Sequence, residues 1–520
     1  MQSLAQQGAE TRARTLAELG GGSVDLVVVG GGIVGAGTAA LAARHGLRVA
    51  LLERADFASG TSSASSKLIH GGLRYLRMGD VRLVREALRE SALLRRVVAP
   101  HLVRELDFVL PVYRDGAYGR AAIRAALGLY SLLGASPRGR IASPERAAAL
   151  VPLLRTDGLA GAGLYGDAQT NDARLCLANV RAAADAGAAV ANRVEVAAIE
   201  RAGGRLVVTA QDLCTGALLE VPTRAVVNAS GAAVDAVRRL EDERAGTSVT
   251  LSKGAHLVLE RPGDWAAALT IPVDRERVSF AIPWEGLLLL GTTDSAFEPG
   301  RDDLDVTPAE QAQILAEAGR ALPPGALRPE AIRSRFAGLR VLPLTDGTTA
   351  RASREVTLTR GRLGMVSVAG GKLTTYRPIA HAALDAIRAD LGLRRVDRSP
   401  FPLPGAGDPE RVADGLVRDH PGLEPEQARH LARTYGTLAA EVVAGASDRP
   451  DALEPVAPGA LDVVAQLFYA RDREWALDAD DVLRRRTTLS LRGLDSPALR
   501  ELVTRCCERP GAAAMTESAS

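Results

Sequence analysis

The chain has 520 residues, 47% of them apolar and 24% charged, with a formal net charge of +2. The length suits two or three domains and the composition is that of an ordinary globular protein, while the near-neutral charge gives no electrostatic argument for a nucleic-acid partner. Cys176, Cys214, Cys506 and Cys507 show no C-x-x-C or zinc-ligand spacing, which argues against a disulfide framework and against a metal site.

Residues 1–22 hold no apolar core of signal-peptide type and read as a flexible leader. No stretch reaches the ~18 apolar residues of a spanning helix, so the expected location is cytoplasmic, with any membrane contact made from the surface. A nucleotide-binding half starts at Ser23. The run from Asp25 through Gly30, Gly32 and Gly35 passes from an apolar strand into G-x-G-x-x-G and an alanine-rich helix. Gly30 permits the tight turn, Gly32 lets the backbone approach a pyrophosphate, and Gly35 lets the helix pack closely on the strand. The helix N-terminus offers free N–H groups and a positive dipole end to the phosphates. A second strand, Arg48 to Glu53, ends on an acid placed for a ribose diol, about twenty residues after the glycines.

The segment from Gly60 to Tyr75 is too polar for a core strand and reads as contacting a flavin. Asp80 can cap a helix running to Val98, with Val84, Leu88 and Ser91 on one face. Prolines and aromatics (Pro100, Phe108, Pro111, Tyr113) then mark an exit from the nucleotide domain. The stretch from Tyr118 to Leu133 reads either as an interfacial helix, with Arg120 and Arg124 near one end, or as a plain buried helix. Residues 170–190 look helical, and Ala189 to Glu200 and Arg205 to Ala210 look like strands. The run Ala225 to Gly231 reads as a buried strand ending in a small-residue turn, a second pass of backbone beside the dinucleotide. Residues 250–336 are strand-rich and suit an antiparallel sheet covering a substrate.

From Leu363 to Tyr376 the strand, Gly-Gly, helix arrangement returns. Two helix N-termini aimed at one ligand suit a cofactor longer than NAD. One would hold pyrophosphate and the other would face the isoalloxazine where reduction creates negative charge. After the linker at Phe401 come amphipathic helical segments reaching Glu508. The expected plan is a leader (1–22), a discontinuous FAD-binding domain (23–98, 166–250, 337–398), a substrate or cap domain (99–165, 251–336), a helical domain (408–508) and a disordered tail (509–520).

These motifs resemble the FAD-dependent, quinone-linked glycerol-3-phosphate dehydrogenases. The run Thr61 to Leu76 matches that family's flavin loop. Further matches lie at Asp172-Ala-Arg-Leu, Asn228-Ala-Ser-Gly231, Lys253-Gly-Ala-His256, Ile282-Pro-Trp284, Gly291-Thr-Thr-Asp294, Gly338-Leu-Arg340, Gly370 to Arg377 and Asp481 to Thr487. Two departures stand out. Ala232-Ala233 replaces the family's usual Pro-Trp, and Val341-Leu342 intervenes between Arg340 and Pro343.

The resemblance implies an α/β fold, with a Rossmann-like FAD domain of the glutathione-reductase and D-amino-acid-oxidase type, an antiparallel cap domain and a C-terminal helical domain. It implies oxidation of sn-glycerol 3-phosphate to dihydroxyacetone phosphate, with electrons passed to a membrane quinone, or to oxygen if the chain is an oxidase. It also implies peripheral association with the inner face of the cytoplasmic membrane, and it allows a homodimer. FAD is expected to bind non-covalently through Gly30, Gly32, Gly35, Glu53, Thr61, Ser62, Ser66, Lys67, Leu68, His70, Gly71, Gly72, Val194, Ala229, Ser230, Gly231, Gly371, Lys372, Leu373 and Thr374. His70, beside two glycines, is read as making backbone contacts rather than a covalent flavin link. For the substrate, Arg74, Arg340, Arg354 and Lys372 supply cations to a phosphate dianion, and Tyr75 and Thr375 supply hydrogen bonds. His256 is the first candidate for the base that takes the C2-hydroxyl proton and Lys372 the second.

Overall fold

A computed structural model describes residues 4–77, 79–116, 119–134, 139–274, 277–300, 302–344 and 356–507. Two sheets organise it. In the first, parallel strands Val24–Val29, Val49–Glu53, Ala189–Asn192, Leu218–Asn228 and Val366–Ala369 lie side by side, with Val27 between Ala50 and Val226. The valine-rich strand Val24–Val29 is apolar at nearly every position because both its faces are covered. The helix Ile33–Arg44 is buried along almost its whole length. It packs between helices Asp172–Asp185 and Tyr376–Ala386, and its run of alanines is what lets three helices approach so closely.

The second sheet is largely antiparallel and has ten strands among the described residues. Its long members are Arg104–Tyr113, Leu159–Gln169, Val249–Glu260 and Ile332–Pro343. Helix Val81–Leu93 is capped by Asp80, whose side chain accepts the Leu83 N–H, and it continues as a wider turn to Val98, as expected. From Pro409 to Cys507 the regular elements are helices, separated by turns.

Two sequence expectations need revision. The leader is no flexible segment, because residues Leu4–Gly21 form one helix. Leu16 and Leu19 are buried against the strands of the first sheet, and Arg12 pairs with Asp212 at 2.7 Å. Second, Leu68–Ile69 of the polar loop joins the second sheet by pairing with Ala168 and Gln169. The expected domain borders at 165/166, 250/251 and 336/337 lie within the strands Leu159–Gln169, Val249–Glu260 and Ile332–Pro343, which the expected FAD-binding and substrate domains would share.

The helical domain is tied down by buried ion pairs. Asp56, just past the second parallel strand, meets the guanidinium groups of Arg485 and Arg486, with Arg486 Nη2 donating at 2.8 Å. These two charges hold the Asp56 carboxyl at about 2, below its usual range, against the opposing effect of burial. Arg174 makes a two-pronged contact with Glu474 at 2.6 and 2.8 Å. Trp475 packs edge-on against Phe57.

Candidate flavin and substrate site

The carboxyl ends of the parallel strands converge at one edge, where open α/β sheets place their ligands. Gly30 has φ +106°, and a Cβ there would lie 2.7 Å from the Ala229 carbonyl oxygen. The first glycine turn and the second backbone pass therefore touch at a spacing only glycine allows. A Cβ on Gly35 would overlap the Gly30 carbonyl. Ser62 Oγ accepts the Ile33 N–H at 2.9 Å, which brings the polar loop to the start of the first helix. Glu53 ends its strand as expected. Its two oxygens accept the Gly31 and Ala55 N–H groups at 2.7 Å each, and burial raises its pKa. Ala229 donates to the Val29 carbonyl, and the Ser230 hydroxyl donates to Asn228 Oδ1 at 2.6 Å. Val194 is buried at the start of its strand. A glycine cradle, a helix N-terminus and an acid at the strand end together fit the ADP half of FAD.

The other half of the site is built on the second sheet. Strand Val249–Glu260 lies between two neighbours, which sets His256 opposite both Phe336 and Gly291, and Ser252 opposite Arg340. With a side-chain period of two, Ser252, Gly254 and His256 share one face with Phe336, Gly338 and Arg340. The His256 ring stacks on Phe336 with centroids 4.8 Å apart. Its Nε2 is 2.8 Å from Ser66 Oγ, and a Cβ on Gly291 would come within 2.6 Å of its Cδ2. Burial, and then the positive charges of Arg340 and Lys67, push the imidazole down to about 3. The ring is therefore neutral at physiological pH.

Arg340 donates to Thr292 Oγ1 at 2.8 Å and to the Thr293 carbonyl at 3.1 Å, and it lies 3.4 Å from Asp294. Glycines make room on this face. A Cβ on Gly254 would sit 2.6 Å from the Arg340 guanidinium, and one on Gly338 would strike Ala64 of the polar loop.

The polar loop joins the two halves. Thr61 Oγ1 donates to the Leu339 carbonyl at 2.7 Å. Lys67 is buried, and its Nζ lies 2.5 Å from Asp172 and 3.0 Å from the Ser63 carbonyl. Its ammonium thus braces the loop from within, and its backbone is held there too, the N–H donating to Ser65 Oγ at 3.0 Å and the carbonyl accepting the Thr170 N–H at 2.9 Å. Leu68 is buried in the short strand. The His70 N–H donates to Thr374 Oγ1 at 3.1 Å, which ties the loop to the Gly370-Gly371-Lys372-Leu373 turn. Lys372 Nζ lies 3.9 Å from the centre of the Tyr75 ring, and Thr375 is buried beside them. Arg74 opens the short helix Arg74–Arg77, but its side chain lies outside the described atoms. Arg354 lies outside the described residues altogether.

The structure adds partners that the sequence did not disclose. Asp172 sat in a recognised motif, but its contact with Lys67 spans 105 positions. Thr292 likewise sat in a recognised motif without its contact with Arg340 being evident, while Phe336 and the buried pair Asp167 and Tyr130 lay in no recognised motif.

Residues 25–377 match the family of FAD dependent oxidoreductases, and residues 399–508 match the C-terminal domain of alpha-glycerophosphate oxidase. The glycerol-3-phosphate dehydrogenase of Mycobacterium leprae is 37% identical over 497 residues, covering 93% of this chain and 84% of that protein. The chain belongs to the FAD-dependent glycerol-3-phosphate dehydrogenase family. Within that family an alpha-glycerophosphate oxidase of Lactococcus lactis is also similar, at 30% identity over 92% of this chain and 90% of the other. A glycerol-3-phosphate dehydrogenase from Bacillus halodurans, solved with FAD, superposes with a TM-score of 0.79 at 28% identity, covering 96% of this chain and 92% of that one. This dehydrogenase-family chain therefore has FAD as its cofactor, and the two-sheet plan with a C-terminal helical domain is the family's.

Proposed function

We propose that the protein oxidises sn-glycerol 3-phosphate at C2 to dihydroxyacetone phosphate and hands the electrons to a membrane quinone. The observation that carries this reading is the shared strand face on which a neutral His256 lies beside the Arg340 cation, with Lys372 and Tyr75 across the polar loop. Bound FAD, held non-covalently, supplies the hydride acceptor. Arg340 binds the phosphate through its guanidinium fork. Lys372, attracted as a cation to the face of the Tyr75 ring, stands ready for the same anion, with Arg74 and Arg354 completing the set and Thr375 bonding a hydroxyl oxygen. His256 takes the C2-hydroxyl proton at Nε2, the ring nitrogen on the Ser66 side. A base must be unprotonated to act, and the burial of His256 meets that condition. Lys372 remains the alternative base.

Peripheral docking on the inner face of the cytoplasmic membrane agrees with two observations. No described helix is long and apolar enough to cross a membrane. Helix Arg120–Leu132 buries Ile123, Leu127 and Tyr130 but exposes Leu129 and Leu132, the latter 86% exposed, at its carboxyl end, while Arg120 and Arg124 are exposed in its first turns. Exposed leucines and arginines on one surface helix suit shallow contact with an anionic lipid surface. The second reading, a glycerol-3-phosphate oxidase using oxygen, is favoured by the oxidase-type C-terminal domain and by the Lactococcus lactis relative.

Anaerobic addition of glycerol 3-phosphate to the purified protein tests both readings. The flavin band should bleach. No bleaching sinks the substrate assignment. Stoichiometric peroxide when air is readmitted, without turnover by a quinone analogue, selects the oxidase.

A further inference from the structure

Beneath the polar loop lies a carboxyl group that the reaction as described does not use. Asp167, on strand Leu159–Gln169, is 6% exposed. Its Oδ1 accepts the Gly71 N–H at 3.0 Å, and its two oxygens lie 2.9 and 2.8 Å from the hydroxyl of fully buried Tyr130. Neither of these partners is a cation. Burial pushes the Asp167 carboxyl up to about 7, with the Gly71 and Tyr130 hydrogen bonds and then the charge of Arg95 opposing that rise. A buried carboxyl held by neutral donors is an expensive way to fill space, so its retention asks for a purpose beyond packing.

The geometry gives one. Gly71 is the last loop residue tied from below before Gly72, which has φ +75°, turns the chain into the helix that carries Tyr75. The fit around this turn is tight. A Cβ on Gly71 would lie 2.5 Å from the Tyr130 hydroxyl, and one on Gly72 would strike the Tyr75 ring. The Tyr75 ring is in turn the surface against which Lys372 lies.

We propose that Asp167, aided by Tyr130, is the positioning residue for the flavin-facing loop, fixing Gly71 and through it the Tyr75–Lys372 contact. This rests on the assignment of Tyr75 and Lys372 to the substrate site. It also gives helix Arg120–Leu132 two roles, since Tyr130 reaches the loop from the inner side of the same helix whose outer side exposes Leu129 and Leu132.

The test uses the FAD-loaded protein with Asp167→Leu, Asp167→Asn and Tyr130→Phe. Three readings are taken for each: the visible absorption and fluorescence of bound flavin, the thermal midpoint, and anaerobic flavin reduction as a function of glycerol 3-phosphate concentration. Asp167→Leu should remain folded with a lowered thermal midpoint, shift the flavin spectrum, and raise the half-saturating substrate concentration tenfold or more. Asp167→Asn, which can still accept from Gly71 through its amide oxygen, should recover most of that loss. Tyr130→Phe should fall between wild type and Asp167→Leu. An unchanged spectrum and unchanged reduction in Asp167→Leu would overturn the proposal, as would an Asn variant as impaired as the Leu one. If Asp167→Leu fails to fold, Tyr130→Phe decides, and wild-type behaviour there counts against the proposal. If wild type itself ignores glycerol 3-phosphate, the substrate assignment has failed, and the flavin spectra still decide the role of Asp167.

Discussion

The glycine cradle and the chemistry face are two solutions to the problem of placing polar groups, and they differ in how far along the chain they reach. The cradle from Gly30 to Ser62 is one continuous stretch, closed by Gly31–Glu53 and Ile33–Ser62 hydrogen bonds that span 22 and 29 positions, with the turn at Ala229 as a distant contribution. The chemistry face draws Ser66 to His256 across 190 positions and Arg340 to Thr292 across 48. The first is a local motif whose glycines are needed for backbone approach. The second is a patch on a sheet, where glycines at 254 and 291 make room for the Arg340 and His256 side chains and Gly338 makes room for the Ala64 backbone of the polar loop. A substitution in the cradle should therefore cost cofactor, and one on the sheet face should cost chemistry while leaving cofactor in place.

The strongest way to break that comparison is Gly32→Val. A Cβ on Gly32 finds only the Ser62 hydroxyl, at 3.1 Å, so the fold tolerates it while the branched side chain bars the pyrophosphate from the backbone. The variant should purify folded and essentially colourless, judged by circular dichroism and by flavin content per chain. A fully loaded yellow variant would show that the pyrophosphate lies elsewhere. His256→Ala should do the reverse. Flavin content should match wild type, while the rate of anaerobic flavin reduction falls by about 10²–10⁴, the usual contribution of a positioned base. An unchanged rate would pass the role to Lys372. Normal reduction at high substrate with poor affinity would make His256 a substrate-binding group instead.

The same contrast explains how much of the molecule could be read in advance. The first strand, the G-x-G-x-x-G turn, the acid at Glu53 and the Asp80 cap are all set by neighbours within a few turns of chain, and all appear where expected. His256, Arg340 and Lys372 were legible only through the family motifs around them; Ser66, Tyr75, Thr292 and Asp294 sat in such motifs too, but which of them meets which was not legible. The N-terminal helix was misread because its anchors, Leu16, Leu19 and the Arg12–Asp212 pair, gain meaning only against residues far along the chain. The resemblance places Lys67 among the residues around FAD. Asp172, more than a hundred positions away, turns it inward.

A smaller effect sharpens the comparison within the sheet face. Arg340→Ala removes a charge-assisted contact to the phosphate, worth ~1.5–3 kcal/mol, or roughly ten- to a hundredfold in kcat/KM. The cradle is untouched, so flavin content should hold. Plain glycerol, which has no phosphate, should hardly register the change. Equal losses for the two substrates would mean that Arg340, through Thr292, Thr293 and Asp294, serves the shape of the face rather than the anion.

The smallest expected effect is that of pH, and its sign follows from the burial of His256. The folded imidazole is pushed down to about 3, below the ordinary ~6.5 of histidine. A base with the ordinary value would be only ~3% unprotonated at pH 5 and would lose about thirtyfold in rate between pH 8 and 5. A base near 3 stays almost wholly unprotonated over that range, so its contribution should change by less than about twofold. The substrate phosphate itself titrates near ~6. The measurement is therefore the limiting rate of anaerobic flavin reduction at saturating substrate, which separates proton abstraction from binding. The same shift acts on stability in a fixed direction. Between about 3 and 6.5 the unfolded chain binds the proton that folded His256 refuses, so this residue favours folding less as pH falls through that window, by at most ~1.4 kcal/mol per pH unit. Flavin retention should be followed in parallel, because loss of cofactor would imitate an acid limb. A flat limiting rate down to pH 5 with flavin retained agrees with a buried, neutral His256 as the base. A thirtyfold fall centred near 6.5, again with flavin retained, would mean that the base is a histidine open to water, which His256 is not.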